Sequence, residues 1–365
     1  MIKRIVFCAL RDNNGATGGP GGVLFLQQNV LGKELADLKC EYWFNPFRIQ
    51  RDVFRFNRLG MFFKILFTKD TYFVAHEVTT GSLLALLHKR YSLIFHNQGP
   101  LVEEYINFGS NADSRKINII KSRERRAFIN ANSVHFPSNG AVEMYFNSQH
   151  ASCKRAEVTV GKSLFNIILP QTVTEPSNFD LKKENDILTF FSLGTLTQAK
   201  GQDQSMIFVE NFLNFYKGKV RYIIVGKGPL KNVLDDGLKK LSERYSSFSY
   251  HLIDAVPHQT VMFLHQISDI YIMLHRISIF DFATLEAMSQ GNAIVLSKVG
   301  GNIDFDKTDN ILFSEDYQDK MDEFAYLDFF FYKKKNKEVF EKFFSKTAFR
   351  EQYISFVNDV VKLSR

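Results

Sequence analysis

The residues with chemistry to offer gather in a few short stretches. The densest is 275–302, HRISIFDFATLEAMSQGNAIVLSKVGGN, which brings His275, Ser278, Asp281 and Glu286 close together in the chain. Its composition reads as loop, helix, buried strand and glycine loop. A helix opening offers free backbone N–H groups and a positive dipole end, which suit a phosphate-bearing ligand. Lys200, a few residues after Gly194 and Thr195, offers a point charge with three donors for phosphate oxygens. A near-bare loop, Asn13-Asn14-Gly15-Ala16-Thr17-Gly18-Gly19-Pro20-Gly21-Gly22, lets a backbone approach a ligand closely. His96, with Gln98 just behind it, can hydrogen-bond a hydroxyl without titrating. No side-chain nucleophile stands out. Asp304 and Asp306 have the spacing of a metal-binding pair, but two acids at that spacing are common and no metal is assigned.

These groups need strand ends to hold them, and the patterning supplies strands. Apolar runs at 3–9, 71–76, 92–96, 133–136, 187–193, 220–225, 249–254, 269–274 and 293–296 read as strands, the first of them buried on both faces. Helical segments lie between them, including 81–89, 121–131 and 283–288, with one starting near Val23. Alternation of this kind predicts an α/β, doubly wound parallel sheet in each half of the chain. Proline, threonine and serine followed by charged residues place the domain boundary near 170–184. Arg48, Arg51, Arg55 and Arg58 share one helical face among Phe54, Phe56, Phe62, Phe63 and Phe67, and Gly60 is expected to end that helix. Two readings of this face stay open: a solvated cationic surface, or contact with an anionic membrane.

The order of the motifs resembles a known family. Leu285-Glu286-Ala287-Met288, then Gly291, then Val299-Gly300-Gly301 is similar to the C-terminal signature of the retaining glycosyltransferases of family four. That resemblance implies the GT-B fold, two doubly wound Rossmann-like domains facing a cleft. The N-terminal, acceptor-side domain would span 1–170 and the nucleotide-sugar domain 171–345, with a helix in 346–365 crossing back. It implies a nucleoside-diphosphate sugar donor, UDP-sugar in the first instance, and a saccharide or lipid-linked saccharide acceptor, in bacterial surface polysaccharide assembly such as lipopolysaccharide or capsule. In the family two glutamates separated by seven residues handle the donor. Glu286 matches the second, expected on ribose hydroxyls, and Ser278 stands in place of the first. Asp281 and the Ser278 hydroxyl share the loop of the absent glutamate, and Asp281 is the better candidate to meet the sugar. The family's Gly-Arg is Gly194-Thr195 here, so one of two diphosphate cations is missing, while Lys200-Gly201 is kept. The implied catalytic set is His96, Lys200, Asp281 and Glu286. The implied substrate-binding set adds Gly18, Gly19, Gly21, Gly22, Gln98, Gly194, Thr195, Gly226 in its glycine turn, Val256 beside the base, Ser278, and the helix opening at Ile279, Phe280, Phe282, Ala283 and Thr284. No metal and no cofactor is implied.

The totals narrow the partners. A net charge of +7 implies acidic ones, yet no zinc-finger spacing, RNP-type aromatic block or long basic tail appears, so nucleic acid ranks below phosphorylated sugars and anionic lipid. Cys8, Cys40 and Cys153 lie too far apart in sequence for a metal motif or a disulfide framework. No run is apolar enough to span a bilayer and residues 5–10 are too short for a secretory signal, so the expected location is cytoplasmic, peripheral at the inner face of the membrane. Two other functions fit the departures at Thr195 and Ser278: a non-catalytic partner subunit of another transferase, and a sugar-nucleotide epimerase.

Overall fold

The computed structural model describes residues 2–12, 19–45, 53–97, 99–108, 113–168, 173 and 181–362. The chain divides into two compact units, Met1–Ile167 with Lys346–Arg365, and Ile168–Ser345.

In the first unit, strands and helices alternate: β1 (Arg4–Asp12), α1 (Gly19–Asp37), β2 (Cys40–Asn45), α2 (Val53–Phe67), β3 (Thr71–Ala75), α3 (Val78–Leu86), β4 (Tyr91–Ile94), α4 (Leu101–Phe108), α5 (Ser114–Ile129), β5 (Ser133–His135) and α6 (Asn139–Asn147). The strands form one sheet in the order β2-β1-β3-β4-β5, with parallel pairing throughout. Phe7, Phe73, Phe95, Phe128 and Phe136 are buried, as the mostly apolar strands require. Phe128 stacks on Tyr145 with ring centroids 4.8 Å apart, and Phe95 meets both edge-on. Ser138 caps α6 by accepting a hydrogen bond from Ala141 N.

The second unit continues with β6 (Ile187–Leu193), α7 (Gln202–Leu213), β7 (Lys219–Val225), α8 (Lys231–Arg244), β8 (Phe248–Ile253), α9 (His258–Ile267), β9 (Ile270–Met273), α10 (Phe282–Gln290), β10 (Ala293–Leu296), β11 (Ile311–Phe313), α11 (Met321–Ala325) and α12 (Phe329–Val339). Its six parallel strands run β11-β10-β9-β6-β7-β8. The chain therefore builds outward from β6 in one direction, returns to pair β9 on the other side of β6, and builds outward again. The buried Arg221 ties the entry of this unit to the sheet, donating to Glu184 Oε1, Lys182 O and Thr189 Oγ1. The last helix, α13 (Lys346–Lys362), belongs to the first unit. There Tyr353 and Phe356 lie against Phe7, and the Gln352 amide bonds both the N–H and the C=O of Phe165.

Two expectations need correction. Gly60 does not end α2, which runs on to Phe67. The turns beyond it bury Met61 and Ile65, and burying two such side chains, about 1.5–3 kcal/mol each, outweighs the roughly 1 kcal/mol a helical glycine costs. α1 starts at Gly19 rather than near Val23, with Pro20 just inside its start, where a fixed φ and a missing N–H do no harm.

Candidate active site

In an open parallel sheet, ligands gather beyond the carboxyl ends of the strands at the point where the strand order reverses. In the second unit that point lies between β6 and β9. The segment leaving β6 carries Gly194, Thr195 and the short turn Gln198–Lys200; the segment leaving β9 carries residues 274–281. The two are stitched together by Arg276 N and Ile277 N, which both donate to Ala199 O, and by Arg276 Nη1 donating to Gln198 O. Contact this close leaves no room for side chains. A Cβ on Gly201, whose φ is +71°, would lie 1.7 Å from Leu274 O. A Cβ on Gly226 would lie 1.9 Å from Gly194 O, so the glycine at 226 serves the packing of this loop edge.

That approach sets Lys200 Nζ 2.7 Å from Asp281 Oδ1. His275, almost fully buried, comes from the end of β9 to 3.5 Å from the same Nζ. Burial holds His275 down, to about 4, against the pull of Asp281, so it is neutral at pH 7. For Asp281 burial works upward, but Lys200 and His275 beside it and the Thr284 N–H bring the carboxyl below its ordinary value. The Ser278 carbonyl accepts from Gly301 N, while its buried hydroxyl has no hydrogen-bond partner; neither has Asn302 Oδ1 on the adjoining glycine loop. Buried polar atoms without partners are costly, and two of them on the loops that follow β9 and β10 mark a place where a polar ligand would complete the bonding.

Asp281 is the N-cap residue of α10. Of the helix-opening residues, Phe280 is buried against Phe305 and Phe344, and Ala283 and Thr284 are buried as well. Their side chains fix the loop, leaving the backbone to face a ligand. Ile279 and Phe282 are half-buried.

One turn along α10, Glu286 is buried with Oε1 2.6 Å from His258 Nε2. That hydrogen bond, and then the charge of Glu286, raise the pKa of His258. Glu286 Oε2 stands 4.0 Å from Nε2 of His265. The tautomer of His265 follows from its neighbours. Asn292 Nδ2 donates to His265 O and Ser268 O, which turns Asn292 Oδ1 to His265 Nδ1 at 3.2 Å and makes Nδ1 the protonated nitrogen. His265 Nε2 is thus a bare lone pair beside a carboxylate oxygen, an arrangement that accepts from a hydroxyl. Val256, half-buried, lies between β8 and α9. His258, His265 and Asn292 were not among the residues singled out in the sequence; only the position of His258, directly after Pro257 at a helix start, was a signal.

The first unit has its own switch point, between β1 and β3. His76 leaves β3 and is buried, and its Nδ1 lies 3.1 Å from Nε2 of His96, which follows β4; the rings stack. Burial depresses both, His96 to about 4 and His76 further under the added influence of His96. In a neutral pair one nitrogen must donate and the other accept; the far nitrogens, His76 Nε2 and His96 Nδ1, are buried without a hydrogen-bond partner. Gly19, Gly21 and Gly22 fall in the first turn of α1. Gly18, Gln98, Arg48 and Arg51, and the side chains of Arg55 and Arg58, lie outside the described residues.

Residues 173–323 match the family Glycosyl transferases group 1. No curated protein sequence matches the chain. Among solved structures, the E. coli trehalose-6-phosphate protein bound with UDP-2-fluoro glucose is similar with a TM-score of 0.64 and 11% identity, over 97% of this chain and 99% of that one. Anabaena HepE in complex with UDP gives 0.58 and 14%, over 98% and 100%. Sucrose-phosphate synthase from Thermosynechococcus elongatus gives 0.62 and 13%, over 99% of each chain. The chain spans 60% of the pneumococcal O-GlcNAc transferase GtfA and 56% of S. aureus TarM. At these identities the likeness is one of fold. The chain has the α/β GT-B fold, and its second unit carries a glycosyl transferases group 1 domain.

Proposed function

We propose that the protein is a retaining, metal-independent glycosyltransferase that moves a sugar from UDP-sugar to a hydroxyl of a saccharide or lipid-linked saccharide, in surface polysaccharide assembly. The observation that carries the reading is the gathering of Lys200, the unpartnered Ser278 hydroxyl, the opening of α10 and buried Glu286 around the β6/β9 switch point, within the matched family region. The barrier to such a transfer lies in charge developing on the departing diphosphate and at the anomeric carbon. Lys200 and the backbone of α10 would stabilise the leaving phosphates. Glu286, with His265 beside it, would accept hydrogen bonds from ribose hydroxyls, and the Ser278 hydroxyl would meet the sugar. His96 would hydrogen-bond a sugar hydroxyl, with the departing phosphate itself taking the acceptor's proton.

Incubation with a panel of UDP-sugars, followed by mass and anomeric analysis of products, tests this. Consumption of one donor with retained configuration is expected. UDP at 100 times its dissociation constant should also raise unfolding free energy by roughly 2.7 kcal/mol. A folded protein that neither binds UDP nor consumes any donor sinks the reading. Two observations favour a second reading, a non-catalytic partner of another transferase: no carboxylate stands at position 278, and the Lys200 charge is already matched. Binding of UDP without turnover of any donor would select it.

A further inference from the structure

At the carboxyl edge of the second sheet, four cations carried by the loops are each matched by a carboxylate. Lys200 has Asp281 at 2.7 Å, Arg276 has Asp203 at 2.7 Å, Lys227 has Asp254 at 3.9 Å and Lys298 has Asp316 at 2.5 Å. Asp254 holds Lys231 as well. Thr195 adds no charge. Of these pairs only Lys200 and Asp281 stand at the switch point and are largely withdrawn from solvent, with side-chain exposures of 20% and 15%. The carboxylate thus occupies a position an incoming phosphate would need: at the opening of α10 and within hydrogen-bond distance of Lys200.

We infer that Asp281 is an internal anion that holds Lys200 until a nucleoside diphosphate takes the lysine from it, so that Asp281 sets how much phosphate charge the site demands before it binds. The inference rests on the donor reading given above. It follows from competition at one cation. A ligand without phosphates gains nothing from Lys200 and leaves the pair intact; a diphosphate must break the pair and repay its loss. Once displaced, the buried Asp281 has an anion where its cation was. Of the other groups facing it, His275 from the end of β9 is held neutral by burial and Tyr271 of β9 is held protonated by burial, so neither replaces that cation. An acid in those surroundings takes up a proton. Diphosphate binding is therefore linked to proton uptake at Asp281 and gains as pH falls.

The test is calorimetric titration of UDP and of uridine into wild type and Asp281→Asn at pH 8.0, 7.0 and 5.5, with thermal unfolding to establish that both are folded. The asparagine keeps the shape and removes the charge. Expected is tighter UDP binding by the variant, about tenfold at pH 8.0, a gap that narrows toward pH 5.5, and equal uridine affinity in both proteins. Because the phosphate of UDP also titrates, with a second pKa near 6, the comparison is the ratio of the two proteins at each pH, in which the ligand's own protonation cancels. In a Lys200→Gln background the substitution should lose its effect. UDP binding by Asp281→Asn that is equal to or weaker than wild type overturns the inference, as does an equal change in uridine affinity. Absence of UDP binding from both proteins overturns the donor reading instead. If Asp281→Asn does not fold, Asp281→Ser carries the same comparison.

Discussion

Glu286 reaches a histidine of its own unit before it reaches any ligand. Its Oε1 is taken by His258, leaving Oε2 as the oxygen free to accept from a hydroxyl. Glu286→Ala should weaken UDP binding by one to two orders of magnitude, since a hydrogen bond to a charged group contributes about 1.5–3 kcal/mol; unchanged calorimetric affinity in a folded variant would remove Glu286 from the site. His258 gives the same pair a pH signature. Its folded pKa is raised, so the stability it contributes is present below the ordinary histidine value and lost as pH rises through the raised one. Wild type should therefore exceed His258→Gln in unfolding free energy by more at pH 5.5 than at pH 9. The difference should stay under about 1 kcal/mol because the histidine side chain is 43% exposed. Equal differences at both pH values, measured by urea titration, would mean that the pair does not form in solution. The positions of Lys200 and Ser278 beyond strand ends and of Glu286 within a helix were legible because local motifs carry them. The pairing of Lys200 with Asp281, 81 residues apart in sequence, was not, because only the crossing of the β6 and β9 loops creates it. The roles of His265 and Asn292 were hidden for the same reason.

At the scale of elements, most strands that the sequence announces are buried on both faces; β8, an edge strand with only Phe248 buried, is announced as well. β6 and β10 fall at their expected limits because a continuous apolar run bounded by charged or glycine residues has no other reading. β2 and β11 pass unannounced. β2, Cys40–Asn45, mixes a glutamate and an asparagine among its aromatics, and β11 is three residues long; both are edge strands, where one side is free of a neighbour and the pattern is weakest. What binds the elements at the site is the contact between the two loops, and Gly201 tests it. Its left-handed φ and the Leu274 carbonyl allow no side chain. Gly201→Ala should cost at least about 2 kcal/mol of stability and should lower UDP affinity with it, because Lys200 is the neighbouring residue. A variant as stable as wild type in urea would show that the loops can part without cost.

Over the whole chain, a charge of +7 attracts anions, and the α2 region of the first unit joins charge to exposed apolar surface. Phe63, Leu66 and Phe67 are 50%, 38% and 75% exposed, with the two phenylalanine rings stacked. Lys64 lies over the Trp43 ring at 3.8 Å, and the sequence before this stretch carries Arg48, Arg51, Arg55 and Arg58. Among the described residues no helix is long and apolar enough to cross a membrane. Attachment to a lipid surface would therefore use such a patch, with aromatic side chains entering the interface and basic ones facing anionic headgroups. Each basic residue near an anionic surface contributes on the order of 1 kcal/mol, so four give reversible binding that weakens as salt shortens the screening length. The aromatic part should resist salt. Co-sedimentation with phosphatidylglycerol and phosphatidylcholine vesicles at 50 and 500 mM salt separates the two contributions. Changing the four arginines to glutamine should abolish the preference for anionic vesicles, and Phe63→Ser with Phe67→Ser should remove the binding that persists at high salt. Wild-type binding indifferent to lipid charge, or variants that sediment as wild type does, would leave the α2 surface as a solvated face with no part in placing the protein near a lipid-linked acceptor.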